Sequence, residues 1–443
     1  MRWPTPRVWC MFSSIRLRSS APVGLLRGDA MATIGFRGSR VPVAIIANAP
    51  APYRIHVHER IVDEMPDVDL TSIFLADENI QSWKFGSLDH IGAVSMGCGK
   101  SLNDAKGLRG HLADLRRGVR VIRELRRRAV GAVVVSGYAS IECIMAIAWG
   151  RLTGVPVLLT SDSNILADNN RGIKKFVKSV MVGSIVRSVK ALLPCGKLGR
   201  AYFKKYGARD EQIFNYPYVA DPALITDLGF EQIENAMAKF GLDPNRKRLV
   251  CSGRLVDLKG FDLAIEALNQ IADERPEWDL VIAGDGELRA ALEARVRPDL
   301  RARVLWLGFI TEQSDLAAIY RASHVLVHPA RREAWGVVIN EALAASMAIV
   351  ASEATGAAAD LVEDGINGYV VPTDNLDALV EALRDTTFPV RLLQFRRSSA
   401  AKLEEWYQTC DAIAGLRKAL RAVGALPSAR PATTPVPAVA RTA

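Results

Sequence analysis

Residues 324 to 345 read His-Val-Leu-Val-His-Pro-Ala-Arg-Arg-Glu-Ala-Trp-Gly-Val-Val-Ile-Asn-Glu-Ala-Leu-Ala-Ala, and few folds accommodate that order. Val325, Leu326 and Val327 form a short apolar run, as a buried strand does. A polar turn follows from Ala330 to Glu333, and residues 337–346 contain no Gly or Pro and read as a helix. In a strand–loop–helix unit with Gly336 at the loop exit, free backbone N–H groups and the positive end of the helix dipole point at whatever sits above the strand. A phosphate is the usual guest. Glu333 and Glu341 frame that end with seven residues between them. Each carboxylate accepts hydrogen bonds and could hold the hydroxyls of a sugar or a ribose, with the phosphate between them at the amides of Trp335, Gly336 and Val337. One sugar on either side of a phosphate is the outline of a sugar nucleotide. The bare spacing of two glutamates arises easily by chance, so the surroundings decide its meaning.

Those surroundings repeat one unit. Apolar runs at 43–47, 70–75, 132–135, 155–160 and 192–195, then at 249–252, 280–283, 304–307, 325–327 and 349–351, alternate with helical segments. Such alternation predicts an α/β fold with doubly wound parallel sheets. A chain of 443 residues has room for two of them. Ligands in these sheets bind beyond the carboxyl ends of the strands, which is where the candidate residues fall. After the strand at 249–252 come Gly253, Arg254, Lys259 and Gly260. The glycine permits close backbone approach, and the two cations suit a diphosphate. Gly284 follows the next strand in a Gly-Asp-Gly turn. In the first half, Asp162 ends the strand at 155–160, where it reads either as a functional carboxylate or as a helix cap. Asp67-Val-Asp69 has the form of a metal–nucleotide motif but precedes its strand, on the wrong side for a ligand.

Glu333-x7-Glu341 with Trp335-Gly336 inside it, together with Gly253-Arg254-x4-Lys259-Gly260, resembles the retaining GT-B glycosyltransferases, in particular glycosyltransferase family 4 (glycosyl transferases group 1). The order of elements matches along most of residues 245–385. The resemblance implies two Rossmann-like domains facing a central cleft. It gives an acceptor-binding domain at 41–217, a nucleotide-sugar-binding domain at 218–385, and a C-terminal helix at 386–423 that returns to the first domain. It implies sugar transfer from a nucleotide sugar to a hydroxyl of a polysaccharide or lipid-linked glycan, with retention of configuration. Glu333 would hold the donor sugar, Glu341 the ribose diol, and Arg254 and Lys259 the leaving diphosphate. Gly253 and Gly284 would lie beneath the nucleotide. Asp162, where the family often has a His, would handle a proton or orient a hydroxyl. Tyr53 and Arg54, in a loop rich in proline where the family is often rich in glycine, would face the acceptor. Ser346, Ala348, Ala357 and Asp360 depart from the family's usual residues, and they bear on turn packing more than on charge.

The net charge of +9 and the pI near 9.3 favour an anionic partner. A nucleotide sugar fits. An acidic membrane surface would fit the arginines of residues 101–129, and nucleic acid is set aside because the charged set around Glu333 is intact. With two cations at the diphosphate, neither metal nor cofactor is expected. Cys10, Cys98, Cys143, Cys195, Cys251 and Cys410 include no CxxC pair, which argues against a disulfide framework or zinc site and for a reducing cytoplasm. No run of about 18 apolar residues exists, so no membrane span is expected; a peripheral position at the inner membrane face remains compatible. Residues 1–40, rich in Arg and Ser, read as a disordered, transit-like segment or a mis-assigned start before Met31, and 424–443 as a disordered tail. Two other readings stay open: a GT-B-shaped sugar-nucleotide epimerase, and a non-catalytic basic module for membrane or nucleic acid.

Overall fold

A computed structural model of the chain describes residues 40–77, 83, 85–97, 108–168 and 172–428. The expected N-terminal segment and most of the expected tail lie outside these residues, as do Cys10 and Cys98. The first sheet is built from β1 (Val41–Ala47), β2 (Val68–Phe74), β3 (Ala93–Ser95), β4 (Ala132–Ser136), β5 (Val157–Ser161) and β6 (Ala191–Pro194). The second contains β7 (Lys247–Ser252), β8 (Trp278–Ala283), β9 (Val304–Gly308), β10 (Val325–His328), β11 (Ala348–Ser352) and β12 (Gly368–Val371). Both are parallel throughout. Their orders are β3-β2-β1-β4-β5-β6 and β12-β11-β10-β7-β8-β9, the same doubly wound order in each half. The order reverses between β1 and β4 in the first sheet and between β7 and β10 in the second. Those reversals open the crevice in which such sheets bind ligands.

The strands are apolar almost without interruption because both sheet faces are covered. Val250, Val281, Leu326 and Ile349 point into one core, and Leu249, Leu280, Val325 and Val350 into the layer on the opposite face. The first sheet divides in the same way. Val43, Ile45 and Val134 share a continuous core with Val250 and Leu326 of the second sheet, while Ala44, Ile46 and Val135 face a separate layer.

Five helices flank the first sheet: α1 (Pro52–Glu64), α2 (Leu108–Arg127), α3 (Ile141–Thr153), α4 (Gly172–Ser188) and α5 (Gly196–Lys205). Pro52 opens α1 at its first turn, where a missing N–H costs nothing. The C-terminal region corrects the single expected helix. It forms two, Pro389–Cys410 and Ala412–Ala422, with Asp411 in extended geometry between them and capping the second through the amide of Ala414. Ile413, Leu416 and Leu420 enter the shared core, and Arg417 reaches Asp67 and the carbonyl of Glu64. The helix Ala412–Ala422 thus returns to the first sheet. The expected tail also starts too early, since Leu426 is buried in the same core.

Gly415 lies where the last helix crosses the segment after β6. A β-carbon there would sit 1.6 Å from the carbonyl oxygen of Asn215. Gly to Ala inside a helix ordinarily stabilises by about 1 kcal/mol. Here Gly415→Ala should instead lower the melting temperature, with a cost of about 1–3 kcal/mol for the overpacked contact. A variant melting at or above wild type would mean that the helix is not seated as described.

Candidate functional site

The loops that follow β7, β8 and β10 meet at the switch point of the second sheet. Gly284 has φ +156, and a β-carbon on it would fall 1.8 Å from the Gly253 carbonyl oxygen. The amides of Gly253 and Leu255 donate to Ala283 and Asp285 at 3.0 Å each. The two glycine turns are therefore stacked backbone on backbone, and side chains cannot enter between them. Gly260 makes a similar approach, its absent β-carbon 2.1 Å from the Pro329 carbonyl. That contact brings the β7 loop against the β10 loop. Arg331, whose role was not legible in the sequence, fastens the junction. It forms a bidentate pair with Asp262 (2.9 and 2.7 Å) and bonds Asp374 (2.6 Å), while its own amide donates to the Leu258 carbonyl.

This junction places Lys259 on Glu333. The ammonium pairs directly with Glu333 Oε2 and lies above Gly253. His328, the last residue of β10, is buried with Nε2 3.6 Å from the same oxygen. That distance is electrostatic contact rather than a hydrogen bond, and Nε2 has no hydrogen-bond partner among the described residues. Burial alone would raise the Glu333 carboxyl, but His328 and Lys259 outweigh it and hold the carboxyl down at about 2. Arg254 sits on the same loop, exposed, with no side-chain partner among the described residues. The structure thus brings Lys259, Glu333 and Gly253 into contact and leaves Arg254 at the loop surface as an uncommitted cation.

Gly336 precedes the helix Val337–Ala344 with φ +94. This left-handed geometry turns the chain so that the N–H groups of Trp335 and Gly336 have no acceptor among the described residues. The Trp335 side chain points the other way. It is 1% exposed, donates from Nε1 to the Tyr218 carbonyl (3.0 Å) and to Asn340 Oδ1 (3.1 Å), and stacks on Trp406. Trp335 therefore offers an amide to the site and an indole to the seam between the two halves. Glu341 is half-buried one turn into the helix. Burial pushes its carboxyl up from 4.5 to about 7, with a small opposing pull from the Tyr320 hydroxyl. That hydroxyl donates to Ser252 Oγ at 2.8 Å, so Tyr320 and Ser252 join Glu341 at the end of β7.

The first half meets this site through the loop after β5. Asn164, buried, donates from Nδ2 to the carbonyls of Glu333 and Ala334 at 3.1 Å each. Asp162, two residues earlier, is open to solvent but ringed by charge. The protein mass around the crevice pushes its carboxyl above the usual range, with Arg54 drawing it down and Glu333 adding to the rise. Arg54 donates to the Ala49 carbonyl at 2.8 Å and lies over the Tyr53 ring, which packs on Tyr218 at 4.6 Å. Tyr53, Arg54 and Asp162 therefore share one wall that faces Glu333. Asn164, Tyr218, His328 and Tyr320 escaped sequence reading. His328, a polar residue at the carboxyl end of an apolar strand, is the one that pattern alone could have raised. No three His, Cys, Asp or Glu side chains converge as a metal site among the described residues.

The model of the family described as glycosyl transferases group 1 matches residues 232–387, which include the whole second sheet. Among curated proteins, the lipopolysaccharide core biosynthesis mannosyltransferase LpsB of Rhizobium meliloti (strain 1021) is 32% identical over 161 residues, or 34% of this chain and 44% of that protein. The matched region spans less than half of that relative's length. Among solved structures, Anabaena Alr3699/HepE in complex with UDP and glucose aligns with a TM-score of 0.67 at 16% identity, covering 87% of this chain and 100% of that one. WaaG, a glycosyltransferase involved in lipopolysaccharide biosynthesis, aligns with a TM-score of 0.61 at 19% identity, covering 86% and 99%. The two sheets with their flanking helices have the GT-B fold.

The raised Glu341 carboxyl makes a prediction about stability. The folded state keeps its proton between pH of about 4.5 and about 7, where the unfolded chain has lost it. Stability therefore falls as pH rises through that window. Glu341→Gln stays neutral at every pH. Above pH 7 it should be more stable than wild type by about 2 kcal/mol, with the difference vanishing near pH 4.5. Urea midpoints across this range test it, and parallel profiles for the two proteins would refute it.

Proposed function

We propose that this protein transfers a sugar from a nucleotide-sugar donor to a hydroxyl of a glycan or lipid-linked acceptor, with retention of configuration. The observation that carries the reading is the Glu333–Lys259 pair beside the unpartnered amides of Trp335 and Gly336, with Glu341 one turn beyond. That arrangement suits a sugar, a diphosphate and a ribose in that order. The kinship of residues 232–387 with glycosyl transferases group 1 supports it. So do the mannosyltransferase activity named for LpsB and the UDP and glucose named in the HepE complex.

In this reading the bond from the anomeric carbon to the diphosphate oxygen breaks, and a bond to the acceptor oxygen forms on the same face of the sugar. The acceptor proton leaves with the diphosphate. Negative charge grows on the leaving oxygens, and groups aimed at growing charge lower the barrier most. Arg254, uncommitted on its loop, and Lys259 supply two positive charges, and the helix N-terminus supplies partial ones. These charges take the part that a divalent ion plays elsewhere, so we propose transfer without metal or cofactor. Lys259 is engaged with Glu333 before a donor arrives. The donor would take over both partners, its sugar hydroxyls donating to Glu333 and its phosphate oxygens accepting from Lys259. Asp162 on the facing wall would orient the acceptor hydroxyl, with Tyr53 and Arg54 lining its approach.

Two measurements test the proposal. In a thermal-shift screen against UDP-, GDP- and ADP-sugars, one nucleotide series should stabilise the wild type by about 2.7 kcal/mol at a hundredfold excess over Kd and leave Glu341→Ala unmoved. Arg254→Ala should then lower kcat for transfer by about 10²–10³, with EDTA having no effect on the wild type. Turnover of the sugar nucleotide without any acceptor would point to an epimerase instead, and near-normal kcat in Arg254→Ala would remove the assigned role of that residue.

A further inference from the structure

One buried ionic cluster in the first half takes no part in the proposed transfer. Asp168 lies in the loop after β5, and its side chain is 2% exposed. Its Oδ1 accepts from Lys178 Nζ of α4 at 2.8 Å. Its Oδ2 accepts from Lys205 Nζ at the end of α5, and from the Tyr206 hydroxyl just beyond, at 2.6 Å each. Tyr206 packs on the Tyr202 ring with centroids 4.9 Å apart, and the Tyr202 hydroxyl meets that of Tyr138, in the loop after β4, at 2.5 Å. Two helices and a second loop are thereby gathered onto one carboxylate. A hydrophobic residue would fill the same space without the cost of taking charges out of water. What the ionic cluster supplies is a fixed geometry, since each of its bonds has a direction.

The segment held in this way is short and leads to the crevice. Four residues before Asp168 lies the buried Asn164. The Ala167 amide donates to its Oδ1 at 2.8 Å, which leaves Nδ2 to bond the carbonyls of Glu333 and Ala334 in the second half. The Ile165 amide donates to the Leu198 carbonyl of α5, and the Asp168 amide to the Ile165 carbonyl, at 3.3 Å each. Nearer the strand, the Ser163 amide donates to Ser161 Oγ at 3.1 Å. Residues 161–168 are therefore tied within themselves, to α4 and α5 through Asp168, and to the second half through Asn164. Asp162 is carried on this segment. Glu333 stands across from it, its carbonyl bonded by Asn164 and its carboxylate by Lys259. A short chain of bonds thus sets the separation of two carboxylates that belong to different halves.

We propose that residues 162–168 form a strut that fixes Asp162 against Glu333, with Asp168 and Asn164 as its positioning residues. The purpose of the strut rests on the transfer reading. There Asp162 orients the acceptor hydroxyl and Glu333 holds the donor sugar, so their separation sets how closely the acceptor oxygen approaches the anomeric carbon. A misplacement of about 1 Å in such an approach can cost about 10²-fold in rate. Neither Asn164 nor Asp168 has to touch a substrate for this. Asp168 anchors the loop on the side of the helices, Asn164 anchors it on the donor loop, and both act through Asp162.

Urea unfolding of four full-length proteins tests the strut without any substrate: wild type, Asn164→Ala, Asp168→Asn and the double variant. Asp168→Asn keeps the shape of the side chain and removes the charge that the two lysines answer. If Asp168 holds Asn164 in place, Asn164→Ala should shift the midpoint clearly in the wild type and hardly at all in Asp168→Asn, a non-additivity that independent structural roles would not produce. Where Asp168→Asn yields no folded protein, Tyr206→Phe, which removes one bond to Asp168 and no charge, takes its place in the cycle. In the transfer assay Asp168→Asn should lower kcat by about 10²-fold. It should leave the thermal shift given by the donor's nucleoside diphosphate as in the wild type, and add no further loss of kcat to Asp162→Ala. Additive urea midpoints, or full kcat in Asp168→Asn, would overturn the proposal. A wild type that moves no sugar from any nucleotide overturns the transfer reading instead, and the urea cycle still decides whether the strut exists.

Discussion

The burial of Trp335 is the contact on which the rest of the site depends. Its backbone belongs to the loop that ends at Gly336, and its indole belongs to the seam between the two sheets. The ring occupies the space that a side chain at position 196 would need: a β-carbon on Gly196 would lie 2.6 Å from it. Its N–H is satisfied by the Tyr218 carbonyl in the segment joining the halves. A buried aromatic with its polar edge bonded is costly to move. The amides that face the crevice are therefore held at a fixed place relative to the first sheet as well as the second. Asn164 acts in the same sense from the other direction, bonding the carbonyls of Glu333 and Ala334. Asp360 does so by accepting from the Lys197 amide at the start of α5.

With the loop fixed, the two glutamates that frame it acquire opposite characters. Glu333 lies against Lys259 and His328 and is an anion at any physiological pH. Glu341 has no cation beside it among the described residues, and burial brings its ionisation up to about 7. Environments that separate two like groups in this way divide their tasks. Glu333 is a permanent acceptor whose charge is already balanced. Glu341 is an acceptor whose charge becomes worthwhile only when donors, such as the two hydroxyls of a ribose, arrive to solvate it. A site that binds a sugar nucleotide gains from this, since the ribose end then favours the ligand without an unpaired charge in its absence.

Much of this was legible in the sequence because it is local. Alternating apolar and helical segments give the two doubly wound sheets. Positive-φ glycines at Gly253, Gly284 and Gly336 mark the turns where backbone must approach backbone. What was not legible depends on residues far apart in the chain. Asn164 meets Glu333 across 169 positions, and nothing in a short polar run after a strand announces that partner. The arginine-rich stretch drew attention for its charge, yet several of its arginines serve structure: Arg117 and Arg120 bond the carbonyls of Leu75 and Met96, and Arg128 the hydroxyl of Thr71. Ser346 is instructive in the opposite direction. The structure holds it at φ +58, left-handed geometry in which glycine rests without cost, so the departure leaves a small local strain rather than a different turn.

The two halves share one strand order but are unequally readable, and the cause is chemical. In the proposed reading the second sheet holds phosphate and ribose, ligands whose recognition calls for glycines, cations and carboxylates at fixed offsets from strand ends. Such demands leave patterns. The first sheet presents Tyr53, Arg54, Tyr218 and Asp162, a wall of aromatic and charged groups that could face many hydroxyl-bearing molecules. Arg54 is tied to the Ala49 carbonyl and to the Tyr53 ring, so the proline-rich loop is fixed by side-chain contacts where a glycine-rich loop would be shaped by backbone freedom. A wall built from side chains can change its specificity one residue at a time, without disturbing the strand order that supports it. The half to which that reading gives the acceptor is therefore the half in which sequence pattern says least.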